Sequence, residues 1–433
     1  MNKILLTLLC SITFVHANID FYNQTYINHA RLGSSGVTVN FNVMAGSTTS
    51  SYNSAHKKTN LLNMLGTHRL DFIGIQQNGD TLGTLADPVN PNAPTATWQT
   101  LDTLTTDTIT AINAGTDLGT YGQLEICGKL SFKSGAVTVV TPSYKGFHVE
   151  ARLPFSSLDF SNLLITDLSP ATGNGGFNLQ RAAYTNVSAS LDNILNKYGL
   201  ASVKSRTKYT EKDIGDLELD IHYTHEINKT FQAAAQAGLI LPTGKKKNEN
   251  EVLSFAHGYD GHFGFKLGGA LDAQLHEYVT IQSSVDALLF ARNTKAIRLK
   301  TYDQQNGFVF LAKDSARRSK GAIVNFATRA LVSCFNEHVF LSAGYLYTHS
   351  GKTTVTLTED SLFSATVANT DKRFDSWYRH SVQGSITCAL NNPKENRFNP
   401  QIAFIFSIPL AGKNIFNTKG YGADGAVTIV CEF

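Results

Sequence analysis

The strongest constraint on this chain is a rhythm. About twelve segments, each of roughly ten residues, alternate apolar with polar side chains, and the connections between them vary in length in an ordered way. The cleanest sets Leu217, Leu219, Ile221 and Tyr223 against Glu218, Asp220, His222 and Thr224. Successive side chains of a strand point to opposite faces, so such a segment reads as a strand with one apolar and one polar side. The set opens with Val37–Val43, Leu124–Phe132, Phe147–Phe155, Leu217–Tyr223, Phe231–Leu241 and Phe263–Leu271. It continues with Val279–Leu289, Val324–Cys334, Val339–Tyr347, Tyr378–Cys388, Ile402–Leu410 and a last stretch from Tyr421 to Phe433. Strands of soluble sandwiches commonly hold about five or six residues, whereas a tilted strand crossing a bilayer needs about ten.

The connections sharpen this reading. Tight turns are expected at Ile227–Thr230, His276–Tyr278 and Asn336–His338, and long excursions at 242–262, 291–319 and 349–376. Ser134–Gly146 reads as a moderate connection and Asn391–Pro400 as a shorter one. Alternating short and long connections are the habit of membrane barrels, with turns on the periplasmic side and loops outside. The expected fold is therefore all-β: a transmembrane antiparallel up-and-down β-barrel of about 12 strands, within a range of about 10–14. No apolar run after residue 17 approaches the ~18 residues of a spanning helix. Two connections, 46–121 and 156–214, are longer still and are expected either to fold into the lumen or to cap it. Ala296–Leu311 around Asn306-Gly307 and Thr353–Val367 read as hairpins that prolong membrane strands. Ser190–Gly199 has helical spacing.

Residues 1–17 read as a secretory signal peptide, with Lys3, an apolar block from Ile4 to Val15, and Val15-His16-Ala17 before the cut. The barrel then occupies 18–433. Removing Lys3 takes the net charge from +3 to +2, too small to suggest a nucleic-acid partner. Cys127, Cys334, Cys388 and Cys431 remain, each inside a candidate strand and none close to another in sequence, so four thiols without a bridge are expected.

In the last stretch Val427, Ile429, Cys431 and Phe433 share one face. This resembles the closing strand of Gram-negative outer-membrane β-barrels. The resemblance implies that Phe433 is an insertion signal read by the barrel-assembly machinery. A second resemblance lies in Ile214-Gly-Asp-Leu217, the following strand and turn, and Ala237-Gly-Leu-Ile-Leu-Pro-Thr-Gly244. The pattern over 214–290 is similar to the family described as the MetA pathway of phenol degradation. What that family implies is an outer-membrane transporter for an aromatic or hydrophobic solute.

The polar positions opposite the apolar ones are the candidates for a pore lining. They are Glu125, Lys129, Glu150, Arg152, Glu218, Asp220, His222, Lys266, Asp272, Asp286, Asn325, Arg329 and Arg379. Both signs occur, so a transverse field across a water-filled lumen is expected. The alternative is mutual pairing that closes the barrel, leaving a structural or surface-interaction protein whose outer loops bind a partner. Outer-membrane lipid and lipopolysaccharide are expected neighbours, the latter at Lys245-Lys-Lys247. His349-Ser350 resembles the site of outer-membrane phospholipase, but adjacent residues of a strand point apart, so no catalytic pair and no enzyme is expected. His222 and His225 likewise face opposite sides, and no metal or other cofactor is expected.

Overall fold

A computed structural model describes residues 36–71, 120–168, 195, 199–200, 208–300, 305–334, 338–359, 361, 363–390 and 398–430. The expected signal peptide, Cys431, Phe433, residues 72–119 and most of Ser190–Gly199 lie outside them. Twelve strands form one wall. They are β1 (Gly36–Thr48), β2 (Thr120–Val140), β3 (Phe147–Asp167), β4 (Leu217–Glu226), β5 (Phe231–Leu241) and β6 (Gly264–His276). Then follow β7 (Val279–Phe290), β8 (Ile323–Cys334), β9 (Val339–Ser350), β10 (Trp377–Ala389), β11 (Phe398–Lys413) and β12 (Lys419–Val430). Each pairs antiparallel with its neighbours in the chain. The seam joins β1 to β12, with Val37 opposite Ile429 and Ala45 opposite Tyr421. The sheet therefore closes into a barrel. Closure leaves no strand edge, the condition that hydrocarbon imposes on a sheet because it offers backbone groups no partner.

The alternation sorts side chains as a membrane requires. Every strand carries exposed apolar residues on its outer face, among them Phe41, Val149, Ile221, Phe265, Phe326 and Phe404. On the inner faces of the same strands Asn40, Glu150, Asp220, Lys266, Asn325 and Gln401 are buried. An apolar belt of this extent on a soluble protein would be an aggregation surface; around a closed barrel it is the lipid contact.

β2 and β3 depart from expectation. Each runs for 21 residues, about 70 Å at ~3.3 Å per residue, against a hydrocarbon core of about 30 Å. They stand well clear of the bilayer. The moderate connection expected over 134–146 shrinks to residues 141–146, where Tyr144 and Phe147 exchange two backbone hydrogen bonds of 2.8 and 2.9 Å. The long connection expected from 156 begins at 168 instead, and Lys208–Ile214 returns to pair with β3. Phe155 faces Ile214 while Arg152 faces Glu218, a one-residue offset that makes Gly215–Asp216 a bulge.

Above the wall the long connections build a cap. Asn293–Leu299 pairs with Ala312–Ser319, which pairs with Thr354–Leu357. The hairpins read from sequence thus form a separate three-stranded sheet rather than extensions of the wall. Its core holds Leu124, Ile297, Leu299, Leu311, Ala316 and Val355. The segment after β1 folds back so that Leu61, Leu62, Met64 and Leu65 are buried in one cluster with inward residues of the wall, including Met44, Phe132, Phe340 and Ile405. For the described part of 46–121, inward packing is what the structure shows.

Cys334 and Cys388 both face outward, on either side of Val339 in the same row. Two strand spacings separate them, about 10 Å, beyond the ~7 Å limit for a disulfide. Cys127, Cys334 and Cys388 are all free thiols. Alkylation of the unreduced, denatured chain followed by mass spectrometry is expected to modify all three; an unmodified pair would contradict this strand order.

Candidate functional site

The inward face of β3 to β8 carries a ladder of ionic contacts. In one row across the wall Glu150 stands opposite Asp220, Asp220 opposite Gly238, and Gly238 opposite Lys266. Gly238 has no side chain to fill the space between its neighbours, so the Lys266 ammonium reaches across to the Asp220 carboxylate at 2.7 Å. A Cβ at position 238 would come within 1.8 Å of Asp220 Oδ1. Lys266 also lies 3.8 Å from Glu218, which is paired with Arg152 at 3.1 Å.

One row towards the turns, His148 and His222 face each other and stack with ring centroids 4.7 Å apart. His222 lies 3.7 Å from Glu150. Across the sheet the Asn325 amide donates to Asp286 at 2.9 Å, and Gln282 donates to Asp272 at 3.1 Å. Arg329 donates in turn to the Gln282 side-chain oxygen. Gly268 sits between Gln236 and Asp286.

The opposite side of the lumen differs. On β9 to β12, β1 and β2 the inward residues are largely uncharged: Phe340, Leu346, Ser381, Gln383, Ile405, Ser407, Asn40, Asn42, Met44 and Phe132. Arg379 and Asp424 are the charged members among those buried there. The Arg379 guanidinium donates to the Thr418 carbonyl at 3.1 Å. The lumen is thus amphipathic in cross-section, with one ionic wall and one of apolar and neutral polar groups.

Most of the residues expected to line a pore are brought together here: Glu150, Arg152, Glu218, Asp220, His222, Lys266, Asp272, Asp286, Asn325, Arg329 and Arg379 all sit on inward positions of the wall. Two do not. Lys129 is exposed on the outward face it shares with Val137 and Val139. Glu125 accepts hydrogen bonds from Asn60 and Asn63 of the segment after β1, at 2.8 and 2.6 Å. Their apolar neighbours Leu124, Ile126, Leu130 and Phe132 point inward instead. The reason is partners: this half of β2 rises beyond the lipid, and its apolar side packs on Leu158, Phe160 and the 61–65 segment.

His148 and Tyr259 join the inward set beside the expected candidates. His148 alternates in step with Glu150 and Arg152, a signal that was available; Tyr259 reaches the interior from a loop, where periodicity says nothing. His349 and Ser350 of β9 fall on opposite faces, Ser350 inward and buried, His349 opposite Val324 and Tyr378 of the lipid-facing set. Among the described residues no group of His, Cys, Asp or Glu is placed to hold a metal ion.

No family model and no curated protein matches the chain. Solved structures do. The chain is similar to an outer membrane channel from Pseudomonas putida F1, at 12% identity over 91% of this chain and 96% of that one, with a TM-score of 0.49. It is also similar to the toluene transporter of Ralstonia pickettii, at 10% identity over 92% and 91%, with a TM-score of 0.35. The Pseudomonas putida toluene transporter gives 9% identity over 92% and 90%, with a TM-score of 0.34. Likenesses this distant add nothing to the fold, which stands on the strand pairing above.

Proposed function

We propose that the chain is a bacterial outer-membrane channel for passive uptake of small solutes with an aromatic or otherwise hydrophobic part. The observation that carries this reading is the ionic ladder inside a closed wall. Burying ion pairs gains little net stability compared with apolar packing, so a barrel that served only as a scaffold would have no need of them. Intramembrane ionisable groups commonly line a path for water, ions or substrate. The facing apolar side suits a solute that is not wholly polar. Export by a signal peptide, insertion directed by Phe433, and contact of the outer rim with lipopolysaccharide belong to the same reading.

The cap and the buried 61–65 segment favour a second reading, a closed barrel whose outer surface binds a partner. Planar-bilayer recording separates the two. A channel is expected to give discrete conductance steps, reduced when a small aromatic solute is added. A purified, folded barrel that inserts without conducting, and that leaves vesicles sealed to such a solute, would favour the closed reading.

A further inference from the structure

Between the cap and the outer ends of the wall lies a cavity of about 80 Å³. Lys247, Arg298, Arg318, Lys320 and Arg373 line it, against two carboxylates, Glu249 and Asp260. Trp377, at the outer end of β10, forms part of its wall and is itself buried. The two carboxylates are already engaged. Glu249 lies 3.0 Å from Lys247 and 3.4 Å from Lys295. Asp260 lies 2.8 Å from Lys295 and is paired with Arg318. Behind the lining, Asp371 is 2.7 Å from Arg373. Lys295 makes the basic groups six and Asp371 makes the carboxylates three, and burial brings one of the six, Lys320, to a pKa of about 7, so two to three positive charges are in excess among the described residues around the cavity.

That excess is felt by the acids. Burial opposes ionisation of Glu249, but Lys247, Lys295 and Arg373 outweigh it and hold its pKa at about 2. Burial likewise opposes ionisation of Asp260, and Arg318 and Lys295 bring it to about 2. His262 adds no charge, because burial lowers its pKa to about 4. Like charges gathered away from bulk water repel strongly, and a counter-anion removes the repulsion.

We propose that this cavity binds an oxyanion of carboxylate or phosphate size. Three of the five lining cations are arginines held in place by the protein: Arg298 donates to the carbonyls of Glu249, Leu311 and Gly199, Arg318 to Asp260, and Arg373 to Asp371, so their charge is fixed at the cavity wall. Lys320, whose pKa burial lowers to about 7, lies 5.5 Å from the centre of the Tyr259 ring and 5.2 Å from that of Phe290, and a bound anion favours its charged form. Size sets the limit: a cavity of about 150 Å³ is what accommodates benzene, so about 80 Å³ takes an acidic headgroup rather than an aromatic ring. The site goes beyond the transport reading and does not depend on it.

Trp377 makes the test direct, because the chain has two tryptophans and Trp98→Phe leaves Trp377 alone. Phosphate or acetate is titrated at constant ionic strength, with chloride as the balancing anion. A saturable change in Trp377 emission is expected for at least one of the two, and which one responds assigns the headgroup. Lys320→Gln is expected to weaken binding by roughly tenfold, one cation's share of about 1.4 kcal/mol. Lys320→Arg should retain it, and so should Lys229→Gln, exposed in the turn between β4 and β5 at the far end of the wall. A response absent for both anions, or equal affinity in Lys320→Gln, overturns the proposal. Should Lys320→Gln fail to fold, calorimetry on the unaltered chain decides: one anion per chain is expected, and no heat of binding overturns the site. Conductance recorded on the same preparation reports the channel separately, so either conclusion can fail alone.

Discussion

Leu267→Arg is expected to reduce the yield of folded barrel sharply, while Leu275→Arg on the same strand and face leaves it nearly unchanged. Both leucines are exposed on the outer face of β6, at 53% and 65%. Depth separates them. Leu267 lies in a row with Ile221, inside their strands, whereas Leu275 adjoins the turn before β7. An arginine facing lipid costs about 2–4 kcal/mol at the bilayer midplane and about 0–1 kcal/mol near the interface. Refolding into lipid vesicles in a urea series, with protease resistance as the readout, measures the difference. Equal midpoints for the two variants would mean that the belt on this strand does not face hydrocarbon.

How far that belt could be read in advance depended on what each strand packs against. For β4, β6 and β8 the apolar face meets lipid and the polar face meets other polar side chains, so Ile221, Phe265 and Phe326 are placed correctly by alternation alone. On β2 the same alternation is present but its sign is reversed. Leu130 and Phe132 point inward because the 61–65 segment and Phe160 offer them an apolar interior, and Lys129 turns out to water. Alternation reveals that two faces differ; it does not say which one is inside. That the first and last strands meet follows from closure, because hydrocarbon leaves no strand edge unpaired. The cap was not legible. Tyr259, Lys320 and Arg373 converge from three separate connections, and their meeting depends on tertiary contacts that no local period encodes.

Lys266→Met is the sharpest probe of the ionic ladder. Lys266, Asp220 and Glu218 are each no more than 5% exposed. Removing the ammonium leaves the Asp220 carboxylate buried without its cation, and losing one partner of a buried pair costs about 3–5 kcal/mol. Asp220→Asn in the same chain removes the orphaned charge, and Glu218 keeps Arg152 at 3.1 Å. The double variant is therefore expected to recover part of the loss, with a coupling of about 0.5–3 kcal/mol. Gly238→Ala reaches the same pair without touching either charge, because its Cβ falls where Asp220 Oδ1 lies, and should destabilise in the same direction. The urea midpoints of the unaltered chain, Lys266→Met, Asp220→Asn and the double variant close the cycle. A loss near 0–1 kcal/mol for Lys266→Met, as at an exposed ion pair, would show that bulk water reaches the ladder in the resting barrel. The buried, mutually paired arrangement of these side chains would then be the wrong description of this part of the wall.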